Sequence, residues 1–141
     1  MHYLIYGKQD DYIPAVAICS WAVADLGHSV TLISSPMNQP IELNYTEQDT
    51  VYFIGYSFNQ ETKEVIFDLL RDGVTVVWLD NHRTSFDIYC QLMEKSMNEN
   101  LTALIDPTKS VVTLCWEHFH RNTPLPQFVS LLEKWGTVWN V

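Results

Sequence analysis

The 141-residue chain reads as an α/β domain of three layers, a mainly parallel sheet with helices on both faces. Three observations predict it. Residues 3–6, 30–33, 51–54 and 74–79 are short, nearly continuous apolar runs, the pattern of strands buried on both faces of a parallel sheet. Stretches of helical periodicity alternate with them, as βαβ units with right-handed crossovers require. Apart from Thr31 and Thr75, polar residues are absent from the strands, and they gather directly after them.

The elements follow in order. Gly7 stops the first strand. Pro14 stands where a helix begins, residues 15–26 are apolar on most faces, and Gly27 supplies the stop. After the second strand come a Pro- and Asn-containing linker through Pro40 and an acidic turn at Glu47 and Asp49. Gly55 ends the third strand. Within residues 61–71, Val65, Ile66, Leu69 and Leu70 have amphipathic spacing, and Gly73 caps the helix. Residues 74–79 form the strongest strand signal. Residues 87–97 are expected to be helical with Ile88, Leu92 and Met93 on one face, and residues 110–120 form a helix capped by Ser110. Pro124 and Pro126 mark a turn, and residues 127–135 a last helix.

Apolar residues make up 47% and charged residues 18%, which fits one globular domain over residues 1–141, without repeats or low-complexity tracts. Eight Lys and Arg face 17 Asp and Glu, a formal charge of -9. That field repels nucleic acid at long range and argues against a protein that coats long polynucleotides. A small nucleotide, whose charge a cation or local basic groups can offset, stays open. Cys19, Cys90 and Cys115 form no CxxC pair and are expected to be reduced core thiols. No segment has the make-up of a signal peptide or the ~18 apolar residues of a membrane span, so a cytoplasmic location is expected. Five Trp and seven Tyr exceed what one small core requires; Tyr56, Trp135 and Trp139 are candidate anchors for a protein partner or a homodimer.

In open parallel sheets, ligands sit beyond the carboxyl ends of the strands. Three polar clusters fall there: Lys8, Gln9, Asp10 and Asp11 after the first strand; Ser57 and Asn59 after the third; Asp80, Asn81, His82 and Arg83 after the fourth. Lys8 and Arg83 would supply charge to a phosphate ligand, Asn59 and Asn81 hydrogen bonds, and Ser110 the start of a helix. Each cluster alone is also ordinary turn chemistry, because Asp and Asn readily leave strands and cap helices.

At Asp80-Asn81-His82-Arg83-Thr84 the chain resembles the DHH phosphoesterases, whose strand ends in Asp-His-His, and most of all their oligoribonuclease-like bacterial and phage branch. Tyr6-Gly7-Lys8-Gln9-Asp10-Asp11 is similar to that family's first motif, and Ile54-Gly55-Tyr56-Ser57 to its second. Asp106-Pro107 with Trp116-Glu117-His118 matches the approach to the fourth, which Leu132-Glu133-Lys134-Trp135-Gly136-Thr137 resembles.

The resemblance implies a Mn- or Mg-dependent phosphodiesterase acting on short oligoribonucleotides or nucleotides. It also implies that most ligands are lost, with Tyr6, Gly55, Asn81, Trp135 and Thr137 where the family places metal ligands. Two-metal hydrolysis needs shared oxygen ligands, which these residues do not supply. The chain also ends where the family continues into a second, substrate-closing domain. The expectation is therefore a catalytically inactive DHH-like binding or inhibitory module, without a cofactor, in the host cytoplasm if phage-encoded. In the alternative, an altered site uses one cation on Asp10, Asp11, Asp80 and His82, with His82 as general acid.

Overall fold

The computed structural model describes residues 2–6, 13–34, 44–97, 99–120, 123–124 and 126–127. Five strands, β1 (His2–Tyr6), β2 (Val30–Ser34), β3 (Thr50–Ile54), β4 (Thr75–Asp80) and β5 (Leu101–Ile105), form one sheet in the order β2-β1-β3-β4-β5. Every pairing is parallel, with Leu4 level with Leu32 and Tyr52, and Phe53 level with Trp78. This is the α/β class the apolar runs predict.

Strand alternation sorts the core into two halves. Leu4, Tyr52, Ile54, Val77 and Leu79 face α1 (Ile13–Asp25) and α4 (Val111–Phe119). Ile5, Val51, Phe53, Val76 and Trp78 face α2 (Lys63–Arg71) and α3 (Ser85–Glu94). The step from β1 to β2 and the steps from β3 through β5 run in opposite directions across the sheet. Their helices lie on opposite faces, as connections of one hand demand.

The fifth strand was not legible as an apolar run. Thr102 and Ala103 interrupt it, and all five of its residues are only half-buried, because an edge strand has one neighbour. The expected helix over residues 87–97 is displaced: α3 starts at Ser85 and stops at Glu94, and Met93 is exposed. Its stop resembles that of α2 in geometry but not in residue. After α2, Gly73 N–H donates to Leu70 O and Val74 N–H to Leu69 O, with Gly73 at φ +80°. After α3, Ser96 N–H donates to Met93 O and Met97 N–H to Leu92 O, with Ser96 at φ +53°. Both are Schellman closures, and the second lacks the glycine that announces one.

The three cysteines do not share one environment. Cys19 and Cys115 are buried between α1 and α4, where burial pushes the Cys19 thiol well above its usual range and a hydrogen bond with Cys115 adds to it. Cys90, on α3, is exposed, which corrects the expectation of three core thiols. Tyr56 is fully buried against Phe53 and Phe58, and Phe58 meets Trp78 edge-on at 5.2 Å. These rings belong to the core, and Tyr56 is no surface anchor. Trp135, Trp139 and the helix expected over 127–135 lie outside the described residues, apart from Gln127. Among the described residues no helix is long and apolar enough to cross a membrane.

Candidate functional site at the carboxyl edge of the sheet

The loops after β3, β4 and β5 meet around Asp80. As the last residue of β4, Asp80 follows the alternation that turns Trp78 toward α2 and α3, and its side chain is fully buried at the foot of α3. Burying a carboxylate is expensive unless every lone pair finds a donor. Here Oδ1 accepts the Asn81 amide at 2.9 Å and the His82 Nδ1–H at 2.6 Å, while Oδ2 accepts the buried Ser85 hydroxyl. The start of α3, where helix amides leave partial positive charge, lies over the same group. A carboxylate offers only acceptors, so the ring proton sits on Nδ1 and the tautomer of His82 is fixed.

A line of hydroxyls leads outward from Asp80. Ser85 Oγ lies 3.3 Å from Ser57 Oγ, which lies 3.0 Å from Thr84 Oγ1. The Ser85 hydroxyl shares its one proton between Asp80 Oδ2 and Ser57 Oγ, and either hydroxyl can donate in the outer Ser57–Thr84 contact. Thr84 is the N-cap of α3 yet makes no side-chain cap, because its hydroxyl is turned to Ser57. The β3–α2 loop is thereby tied to α3, and the Trp78 indole N–H adds a buried bond to Tyr56 O at 2.9 Å.

The predicted site residues divide by role. Asn81 donates through Nδ2 to Lys109 O at 3.1 Å, joining the loops after β4 and β5. Asn59 builds the turn into α2: its Oδ1 accepts the amides of Glu61 and Thr62 at 2.8 and 2.9 Å. Ser110 is buried and caps α4, accepting from Thr113 N–H at 3.2 Å. These three hold backbone in place. His82 is 34% exposed, and Arg83 is exposed, so these two face outward. Lys8, Asp10 and Asp11, with Trp135 and Thr137, lie outside the described residues.

Sequence reasoning missed Ser85, the hydroxyl that completes the Asp80 shell. Its signal was available, since a serine opening a helix five residues after a strand-ending aspartate sits directly above it. Lys109 was missed too; it bonds both carboxylate oxygens of Glu117 at 2.9 Å, beside an Asp106 carboxyl that the Thr108 hydroxyl and amide hold below the usual range.

Among the described residues, the positions matched to metal ligands do not fit a paired metal centre. Gly55 offers no ligand and holds φ at +63°, and its N–H donates to Leu79 O at 2.8 Å. Most side chains would be strained at that φ. Tyr6 packs against the α1–α4 core, and Asn81 gives its donor to Lys109. Among the described residues no three His, Cys, Asp or Glu side chains are grouped to hold a metal ion. Comparison with protein-family models, curated proteins and solved structures finds no match to this chain.

Proposed function

We propose that the chain is a catalytically inactive DHH-like domain whose carboxyl edge serves as a binding or inhibitory module in the cytoplasm, taking a small phosphate-bearing ligand such as a nucleotide. One observation carries this reading: Asp80 spends both carboxylate oxygens on Asn81, His82 and Ser85. It shapes the loop and aims His82 instead of reaching for a cation. His82 and Arg83 then stand together at the surface as groups suited to a phosphate. Thermal melting with nucleoside mono- and diphosphates tests the proposal. A ligand at 100-fold its Kd stabilises by about 2.7 kcal/mol. The shift is expected with wild type and lost in Arg83→Ala. No shift with any phosphate compound, together with capture of a specific protein, would transfer the role to a protein partner.

A second reading draws on the Asp80–His82 pair, since a carboxylate-backed imidazole also suits a proton carrier or a metal ligand. It is a phosphodiesterase with one cation on Asp10, Asp11, Asp80 and His82. Mn-dependent cleavage of a short oligoribonucleotide, abolished in Asp11→Ala, would establish it.

A further inference from the structure

We infer that the amino edge of the sheet is an acid-sensitive latch, in which proton uptake by His2, whose ring packs at a tilt against that of His28, loosens β1 and the α1–β2 turn from β3. The inference is independent of any ligand at the carboxyl edge.

His2 opens β1, in register with Val30 and Thr50, and its amide donates to Ser29 O at 3.1 Å. Its ring lies 4.3 Å from that of His28, tilted by 32°, and stacks on Tyr52 at 5.9 Å. Tyr52 in turn meets His118 edge-on at 6.4 Å and stacks on Phe119 at 5.9 Å. A continuous run of rings thus joins the α1–β2 turn, β1, β3 and the end of α4. His2 Nδ1 is buried and has no hydrogen-bond partner among the described residues.

A neutral imidazole tolerates that position. An imidazolium adds a charge and a second N–H, and the buried Nδ1 has no acceptor among the described residues. The groups around His2 come from every neighbouring element. His28 from the α1–β2 turn and the amino terminus disfavour its charge, and Asp49 from the turn before β3 favours it. Tyr52 and Cys19, from β3 and α1, are both pushed by burial toward their neutral forms, and β2 brings no ionisable side chain. His118, from α4, reaches the cluster through Tyr52.

Desolvation is the largest influence and holds the His2 pKa below 6.5. For a histidine lowered in the folded state, the unfolded chain binds the extra proton first. The stabilising contribution is therefore full above about 6.5 and is lost as pH falls from there through the folded value. That window lies above most carboxylate titrations, so acid is read by the His2 imidazole.

The test combines histidine ring-proton titration by NMR with thermal melts at about pH 7 and about pH 5, on wild type, His2→Phe and His28→Gln. His2 is expected to titrate below an ordinary histidine, and its midpoint to rise in His28→Gln. The wild-type Tm is expected to drop by about 3 °C over the window. His2→Phe should abolish most of that drop. An ordinary or raised His2 midpoint, or an unchanged drop in His2→Phe, overturns the latch. If His2→Phe does not fold, the wild-type midpoint and its response in His28→Gln decide.

Discussion

At the carboxyl edge, Asp80 carries a carboxylate into the core and meets three donors; at the amino edge, His2 carries an imidazole nitrogen inward and meets none among the described residues. The two sites lie at opposite ends of parallel strands in one sheet. What separates them is the chain that follows. β4 runs into a loop and a helix start rich in amides and hydroxyls, which can converge on a carboxylate. His2 opens its strand among the rings of His28 and Tyr52, and its buried Nδ1 meets no hydrogen-bond partner among the described residues. A buried polar group is secure only where neighbouring backbone ends or hydroxyls can turn toward it. The carboxyl edge is therefore built to hold shape, and the amino edge to respond to protons.

Removing Asp80 should have the largest effect. Asp80→Ala strands the Ser85 hydroxyl, the Asn81 amide and the His82 ring, and is expected to lose about 3 kcal/mol of unfolding free energy, read from urea melts. A loss no larger than that of a surface substitution would erase the contrast between the edges. Asn81→Ala breaks one half-buried bond to Lys109 O and should lose about 1 kcal/mol in the same assay.

His2→Phe, measured at neutral pH, should change stability by less than about 0.5 kcal/mol, because it removes a buried nitrogen without a hydrogen-bond partner among the described residues while keeping the ring stack. The smallest effect is alkaline. Tyr45 donates to Asp72 at 2.7 Å, and that bond raises the Tyr45 pKa to about 12. A phenol raised in the folded state contributes stability below about pH 10 that is lost as pH climbs toward the folded value. Both groups are largely in water, so Tyr45→Phe should flatten the alkaline slope of urea melts only slightly.

Much of the sheet was legible because burial on both faces leaves an unmistakable apolar run, as at Val76-Val77-Trp78-Leu79. β5 escaped because an edge strand carries a diluted pattern. The end of α3 escaped because Ser96 takes the left-handed turn that glycine usually marks. At the site, position was readable and role was not. Asp80, Asn81, Asn59 and Ser110 do stand at carboxyl ends of strands or at the helix starts beyond them, yet three of them spend their polar atoms on neighbouring backbone. Residue type and spacing place a group; the direction of its lone pairs is decided by tertiary contacts such as Ser85 on Asp80.

The central claim is that Asp80 organises a binding edge and does not serve a hydrolytic metal pair. Titrating the intact protein with Mn while following both bound metal and cleavage of a short oligoribonucleotide tests it most directly. The expected result is no stoichiometric uptake of a metal pair and no Mn-dependent cleavage, with the fold intact throughout. Two Mn ions bound per chain, with cleavage that disappears in Asp80→Asn while that variant still folds, would contradict it.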